Sequence, residues 1–235
     1  MKIGIIVCDK LDPVLSQQFG EFADMIMATL SPHGQFEYQQ YDALQQNLPK
    51  QNDDCQGYII TGSTHDAYSD QPWVHNLIEW IKYCDQIRKP VVGICFGHQV
   101  ISIALGGKVE KSNKGWGLGV SENQVHQHPA WMTPNKTQLN LLVSHQDQVT
   151  ELPPSTQLIS SSDFCPYYMF SKEQHILTVQ GHPEFSVEFE QKLLDKKRDL
   201  ISDELYEKAK LSLQIEPDSS VVMKWFAEFL IQSKN

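Results

Sequence analysis

The feature that most constrains this chain is Gly93-Ile94-Cys95-Phe96-Gly97, which follows the apolar run Pro90-Val91-Val92 and opens the helix-like stretch from His98 to Leu105. A cysteine with glycines two residues to either side, on a strand-to-helix turn, reads as a nucleophile elbow. The glycines are needed because the turn is tight and side chains at those positions would collide with neighbouring backbone. The free N–H groups and dipole of the helix start favour an anion, and so favour the reactive thiolate. The leading reading is an enzyme that attacks a carbonyl carbon.

An elbow needs a sheet to stand on. Lys2 to Val7, Phe36 to Tyr41, Gly57 to Ile60 and Val91 to Ile94 are short runs of strand character, and Pro13 to Leu30 and Pro72 to Ile87 between them carry helical apolar spacing. Strands alternating with helices predict parallel pairing and a doubly wound α/β sheet. After residue 106 the pattern changes. Short strands are expected at Gly107 to Glu110, Leu118 to Val120, Leu139 to Val143, Leu158 to Ser160, Tyr167 to Phe170 and Ile176 to Val179, with few helices between. A mixed or antiparallel extension of the sheet follows. Helices return at Ser186 to Leu200 and Ser219 to Gln232, and residues 201 to 218 take no assignment. The turn-rich stretches are too short for interdomain linkers, so the expected architecture is a single domain spanning residues 1–235.

Composition removes several classes. A net charge of −10 with no block of Lys or Arg argues against nucleic acid and anionic membranes. No apolar run approaches a membrane span, and the N-terminus lacks a signal-peptide pattern. The five cysteines are scattered with no C-x-x-C pair. That argues against a disulfide framework or zinc knuckle and for a reducing cytoplasm. Cys8, Cys55, Cys84 and Cys165 therefore read as structural. His126 and His128 have no partner at ligand spacing and read as loop residues; no metal and no cofactor is expected.

A cysteine nucleophile needs a base, and the base needs an orienting group. Among nine histidines, His182 stands out in Gly181-His182-Pro183-Glu184, just after the apolar run Ile176 to Val179. Pro183 favours extended backbone at His182, and in extended backbone residues i and i+2 face one side. Glu184 is thus placed to hold the imidazole, at a strand end where open α/β sheets carry their sites.

These residues resemble the class I glutamine amidotransferase family. Its G-x-C-x-G-x-Q motif is matched by Gly93, Cys95, Gly97 and Gln99, its G-H-P-E motif by Gly181 to Glu184, and its Ser-His motif by Ser144-His145-Gln146-Asp147. The likeness covers residues 57 to 190 well and the N-terminal strand loosely. It implies a flavodoxin-like mixed sheet, with Cys95 as nucleophile, His182 as base and acid and Glu184 as orienter. Backbone N–H groups near Gly62, in Thr61-Gly62-Ser63, and of Phe96 would form the oxyanion hole. Gln99 would bind the α-amino and α-carboxyl end of a glutamyl group, with Ser144 and His145 presenting backbone to it. Gly62-Ser63 with Asp66-Ala67-Tyr68 and Trp73 is similar to stand-alone members such as plant γ-glutamyl peptidases; the glutaminase domain of GMP synthase is another likeness.

The resemblance implies hydrolysis of a γ-glutamyl amide, either glutamine or a conjugate. Three possibilities stand: a glutaminase subunit handing ammonia to a separate synthetase, an autonomous γ-glutamyl peptidase, or a non-catalytic binding protein that kept the fold. No synthetase segment is read in this chain, so an acceptor would be a separate partner. The leaving-group pocket is expected in the loops Asp66 to Trp73 and Ser112 to Gly119. The aromatic set Tyr68, Trp73 and Trp80 is read as core or lid packing and His98 as packing.

Overall fold

The apolar β-branched runs do form the centre of a sheet, because a strand covered on both faces must be apolar throughout. In the computed structural model, which describes residues 1–232, the N-terminal half contains β1 (Lys2–Val7), α1 (Pro13–Phe19), α2 (Phe22–Leu30), β2 (Glu37–Asp42), β3 (Gly57–Ile60), α3 (Pro72–Gln86), β4 (Val91–Ile94) and α4 (Phe96–Ala104). The second half contains β5 (Lys108–Lys111), β6 (Gly117–Val125), β7 (Gln138–His145), β8 (Asp147–Glu151), β9 (Gln157–Ser161), β10 (Met169–Lys172), β11 (Ile176–Val179), α5 (Val187–Lys196), α6 (Asp203–Ser212) and α7 (Ser219–Gln232).

Nine strands make one sheet in the order β2-β1-β3-β4-β11-β10-β9-β6-β7. The five from β2 to β11 are parallel, in the 2-1-3-4 order of flavodoxin-like folds. Beyond β11 every pairing is antiparallel. Four reversals bring β7 back to the direction of β11. Its last residues, Ser144 and His145, therefore reach the same edge as the ends of β3, β4 and β11. A second sheet pairs β5 with β8.

The core divides about the sheet. One cluster packs Ile3, Ile5, Ile59 and Val92 against α2 and α7, where Trp225, Phe226 and Leu230 are fully buried. The other packs Ile6, Ile60 and Val91 against α3 and α4. Trp73 and Trp80 belong to the second cluster, Trp73 against Phe96 and Trp80 against Tyr58. Tyr68 is half-exposed.

One expectation is corrected and two unassigned segments are filled in. The continuous helix over Pro13 to Leu30 is two helices, because Gly20 has φ 78° and the chain restarts at Glu21. There a capping box forms, with the Glu21 amide donating to Asp24 at 2.9 Å. Residues 201 to 218 hold α6, N-capped by the Ser202 hydroxyl, which accepts from the Leu205 amide. The Ser-His segment runs on directly into β8.

Candidate active site

The turn after β4 places the sulfur where a helix begins. Cys95 has φ 51° and ψ −101°, a strained conformation that a β-branched residue would not tolerate there. Its amide donates to the Val179 carbonyl at 2.9 Å, which ties the elbow to the end of β11. The flanking glycines are required by contact. A Cβ on Gly93 would lie 2.6 Å from the Gly97 backbone, and one on Gly97 would lie 2.5 Å from the Ile60 carbonyl oxygen. Phe96 is the first residue of α4, so its N–H has no intrahelical acceptor.

Cys95, His182 and Glu184 come together. His182 Nδ1 lies 2.8 Å from Glu184 Oε1, and the ring stacks on Phe185 at a centroid distance of 3.9 Å. The imidazole is within hydrogen-bonding reach of the Cys95 sulfur, and because Nδ1 faces Glu184, Nε2 is the atom left for it. The His182 amide donates to the Leu142 carbonyl at 2.8 Å, so β7 braces the base. Burial opposes a charge on His182, but the Glu184 carboxylate and the Cys95 sulfur outweigh it and push the imidazole up to about 10. Gln180, wholly buried, donates its amide to the Cys95 sulfur at 3.5 Å.

Gly62 meets the same point from β3. A Cβ there would fall 2.9 Å from His182 Cε1 and 3.7 Å from the Cys95 Cβ. The preceding Thr61 is anchored by its hydroxyl, which accepts from the Cys8 amide at 3.0 Å. Gly62, from the end of β3, and Phe96, at the start of α4, thus both lie beside Cys95.

Two cavities open from Cys95. The first, about 280 Å³, is bordered by Gln99, Ser144, His145, Asp66 and Asp147. Gln99 turns its amide nitrogen away from the space: it donates to the Asp147 carbonyl at 2.9 Å and to Gln180 Oε1 at 3.2 Å. It therefore ties the cavity wall to β8 and to Gln180. His145 and Ser144 contribute side chains as well as backbone. Both ring nitrogens of His145 and the Ser144 hydroxyl are buried without a partner. Burial, helped by the charge on nearby His182, drives His145 down to about 3, so its ring is neutral. Asp147 was not singled out from the sequence although it lies within the quoted motif. Burial, with the neighbouring Asp66 carboxylate, raises its pKa, and the Tyr68 hydroxyl opposes the rise.

The second cavity, about 240 Å³, lies on the other side of the sulfur and is walled by Leu11, Leu15, Phe22, Phe185 and Leu193. Ser63, Thr64, Cys95, Ser144 and Lys197 border both. Lys197 carried no signal in the sequence, since a basic residue at a helix end ordinarily just complements the dipole.

The other chemistry-bearing residues stay apart from this centre. His98 is buried on the far side of α4, with Nδ1 2.9 Å from the Thr178 hydroxyl and its ring on Phe170. Burial lowers it to about 3. Cys8, Cys55, Cys84 and Cys165 are buried free thiols, and burial raises each of them. His126 and His128 are exposed, on Ser161 and on the Lys136 carbonyl.

Comparison with known proteins places the chain in a family. Residues 18–198 match the family described as glutamine amidotransferase class-I. The chain is 31% identical over 213 residues to gamma-glutamyl peptidase 2 of Arabidopsis thaliana, covering 87% of this chain and 86% of that one. It is 34% identical over 135 residues to the GMP synthase of Cupriavidus taiwanensis, but spans only 24% of that protein. A crystal structure of a glutamine amidotransferase from Thermotoga maritima superposes with a TM-score of 0.72 over 99% of this chain and 97% of the other, at 17% identity.

Proposed function

Because the chain belongs to the class I glutamine amidotransferase family, we propose that it is a thiol hydrolase of γ-glutamyl amides, with Cys95, His182 and Glu184 as its catalytic residues. The observation that carries this reading is the 2.8 Å contact of His182 Nδ1 with Glu184, with the same ring turned to the sulfur at the start of α4.

The γ-glutamyl half occupies the polar cavity. Two neighbouring carboxyl groups there favour a cation, and the α-ammonium supplies one, between Asp66 and Asp147. The γ-carbonyl then lies over the sulfur. The Cys95 thiolate attacks its carbon and the carbonyl π electrons move onto oxygen, which accepts hydrogen bonds from the Gly62 and Phe96 N–H groups. The C–N bond breaks as His182 gives its proton to the departing nitrogen. The γ-glutamyl thioester remains. Water, losing a proton to His182, attacks it, and glutamate and the thiolate are released. Glu184 holds the imidazole's orientation and stabilises its cationic form throughout.

Near-complete coverage of both partners in the match to the peptidase favours an autonomous enzyme. The match to the amidotransferase part of GMP synthase supports a second reading, in which glutamine is hydrolysed and ammonia passes to a separate synthetase. Glutamate release from glutamine, glutathione and γ-glutamyl dipeptides separates the two. An autonomous peptidase cleaves a conjugate fast and glutamine poorly. An amidotransferase subunit acts on glutamine alone, and slowly. In either case Cys95→Ala lowers turnover by at least about 10³-fold while the protein stays folded. Unchanged turnover in that variant would refute the mechanism, whereas no cleavage of any of these compounds by the native chain would leave a binding protein with this fold.

A further inference from the structure

The cavity walled by Leu11, Leu15, Phe22, Phe185 and Leu193 has no place in the chemistry of the glutamyl half, yet it opens on the same sulfur as the polar one. A γ-glutamyl amide has two halves joined at the carbon that Cys95 attacks. With the charged half on the carboxylate side, the other half points into this apolar space. Ammonia would gain nothing from such walls, whereas an apolar side chain would be desolvated by them.

Three lysines border the cavity, and they differ in their partners. Lys196 pairs with Asp12, and Lys10 pairs with Asp42 at 3.1 Å. Asp9 is occupied by the Thr64 amide and hydroxyl, each at 2.6 Å. Among the described residues Lys197 alone of the three makes no ion pair. Its ammonium lies 5.4 Å from the centre of the Trp116 ring, and it is mostly shielded from water. Glu190 is near enough to act on it electrostatically but makes no ion pair with it, and burial favours the uncharged form of that carboxyl. Burial disfavours the charge on Lys197, and the Cys95 sulfur and the Glu190 carboxyl act on it only from a distance, so a carboxylate brought to the junction of the two cavities would hold it charged.

We infer that the apolar cavity is the leaving-group subsite, and that it takes an amino acid or short peptide bearing an apolar side chain and a free carboxylate, with Lys197 as the specificity-determining residue that pairs with that carboxylate. This rests on the hydrolase reading above. It also moves leaving-group recognition away from the loops in which the sequence led us to expect it. Asp66 and Trp116, from those loops, border the polar cavity, while the apolar walls come from the segment after β1, from α1 and α2, and from Phe185 and α5.

The test compares γ-glutamyl-phenylalanine with γ-glutamyl-phenethylamine, which has the same ring and no carboxylate, in the native chain and in Lys197→Met and Lys197→Arg. The native enzyme is expected to favour the phenylalanine conjugate in kcat/KM by about 10- to 100-fold, the range of a charge-assisted contact. In Lys197→Met the ratio of the two falls toward one, and Lys197→Arg restores most of it. Three results overturn the subsite. They are equal native rates on the two conjugates, an equal loss on both in Lys197→Met (which would assign the lysine to the α-carboxylate of the glutamyl half), and a preference that survives Lys197→Met. Each of these leaves the hydrolase reading standing. If no γ-glutamyl compound is cleaved in a Cys95-dependent way, that reading falls and the subsite with it.

Discussion

Glu190 is the residue whose placement is least expected from its chemistry. It is wholly buried beneath the site, with Oε1 only 3.4 Å from the Gly119 amide and Oε2 without a partner. Burial raises its carboxyl to about 8, against the opposing pull of the charges on His182 and Lys197. A native carboxyl with a value above 4.5 holds a proton that the unfolded chain has released. The stability it contributes is therefore complete below about pH 4.5 and is lost as pH rises through about 8. Glu190→Gln keeps the shape and stays neutral at every pH. Its stability relative to the native chain is expected to increase by on the order of 2–4 kcal/mol between pH 5 and pH 8.5, as read from urea unfolding at the two values. A constant difference between the two proteins would mean that Glu190 is ionised throughout and that Lys197 already has its counter-charge. That result would also bear on the leaving-group subsite, because the same lysine would then have no need of a substrate carboxylate.

At the scale of elements, the break between α1 and α2 matters most, because Leu15 on one helix and Phe22 on the other wall the apolar cavity. Gly20 sits at φ 78°, and a Cβ there would come within 2.9 Å of the Asp24 Cβ. Gly20→Ala is expected to lose about 1–2 kcal/mol from left-handed backbone alone, measured as a lower urea midpoint with an unchanged slope. A neutral substitution would imply that the two helices can fuse into the single one that the apolar spacing predicts. That spacing at Leu15, Phe19, Phe22, Ile26 and Leu30 continues through the break because α1 and the start of α2 share one apolar cluster, and α2 carries the stripe on into the main core through Ile26 and Leu30. The break was written instead in Gly20, followed by Glu21 and Asp24 at capping-box spacing. Elements with strong local signals were legible: β1, β3, β4, α3 and α7 follow the apolar runs, and the Cys95 and His182 turns follow their glycines and proline. Those with weak signals were not. β8 reads Asp147-Gln148-Val149-Thr150-Glu151 and pairs only with β5, outside the main sheet. α6 buries little beyond Ala209. The site divided in the same way. Short-range pairs such as His182 with Glu184 were readable, whereas Asp66 with Asp147, and Lys197 with both cavities, meet only through sheet order and the packing of α5.

At the scale of the molecule, strand direction explains how residues from four parts of the chain meet at one sulfur. The parallel half brings Gly62, Cys95 and His182 to one edge, and the four reversals of the antiparallel half return Ser144 and His145 to it. The segment that braces His182 through the Leu142 carbonyl belongs to the antiparallel half, and the elbow belongs to the parallel half. A fold arranged this way cannot assemble its site in pieces. We propose that residues 1–235 unfold as one cooperative unit, as expected of a single domain. Trp225 tests this from α7, the last helix of the described residues. It is fully buried in the cluster shared by β1, β3, β4, β7 and β11, and its indole N–H donates to the Pro134 carbonyl at 3.0 Å. Trp225→Ala should cost about 3–5 kcal/mol. If the unit is single, thermal loss of γ-glutamyl hydrolysis and loss of far-ultraviolet ellipticity shift downward together in this variant. If α7 and the antiparallel strands formed a separate unit, the ellipticity would show two steps and the hydrolysis would follow only one of them. The shared strands of the core, and the hydrogen bond from His182 to β7 across the sheet, are the reasons to expect the single step.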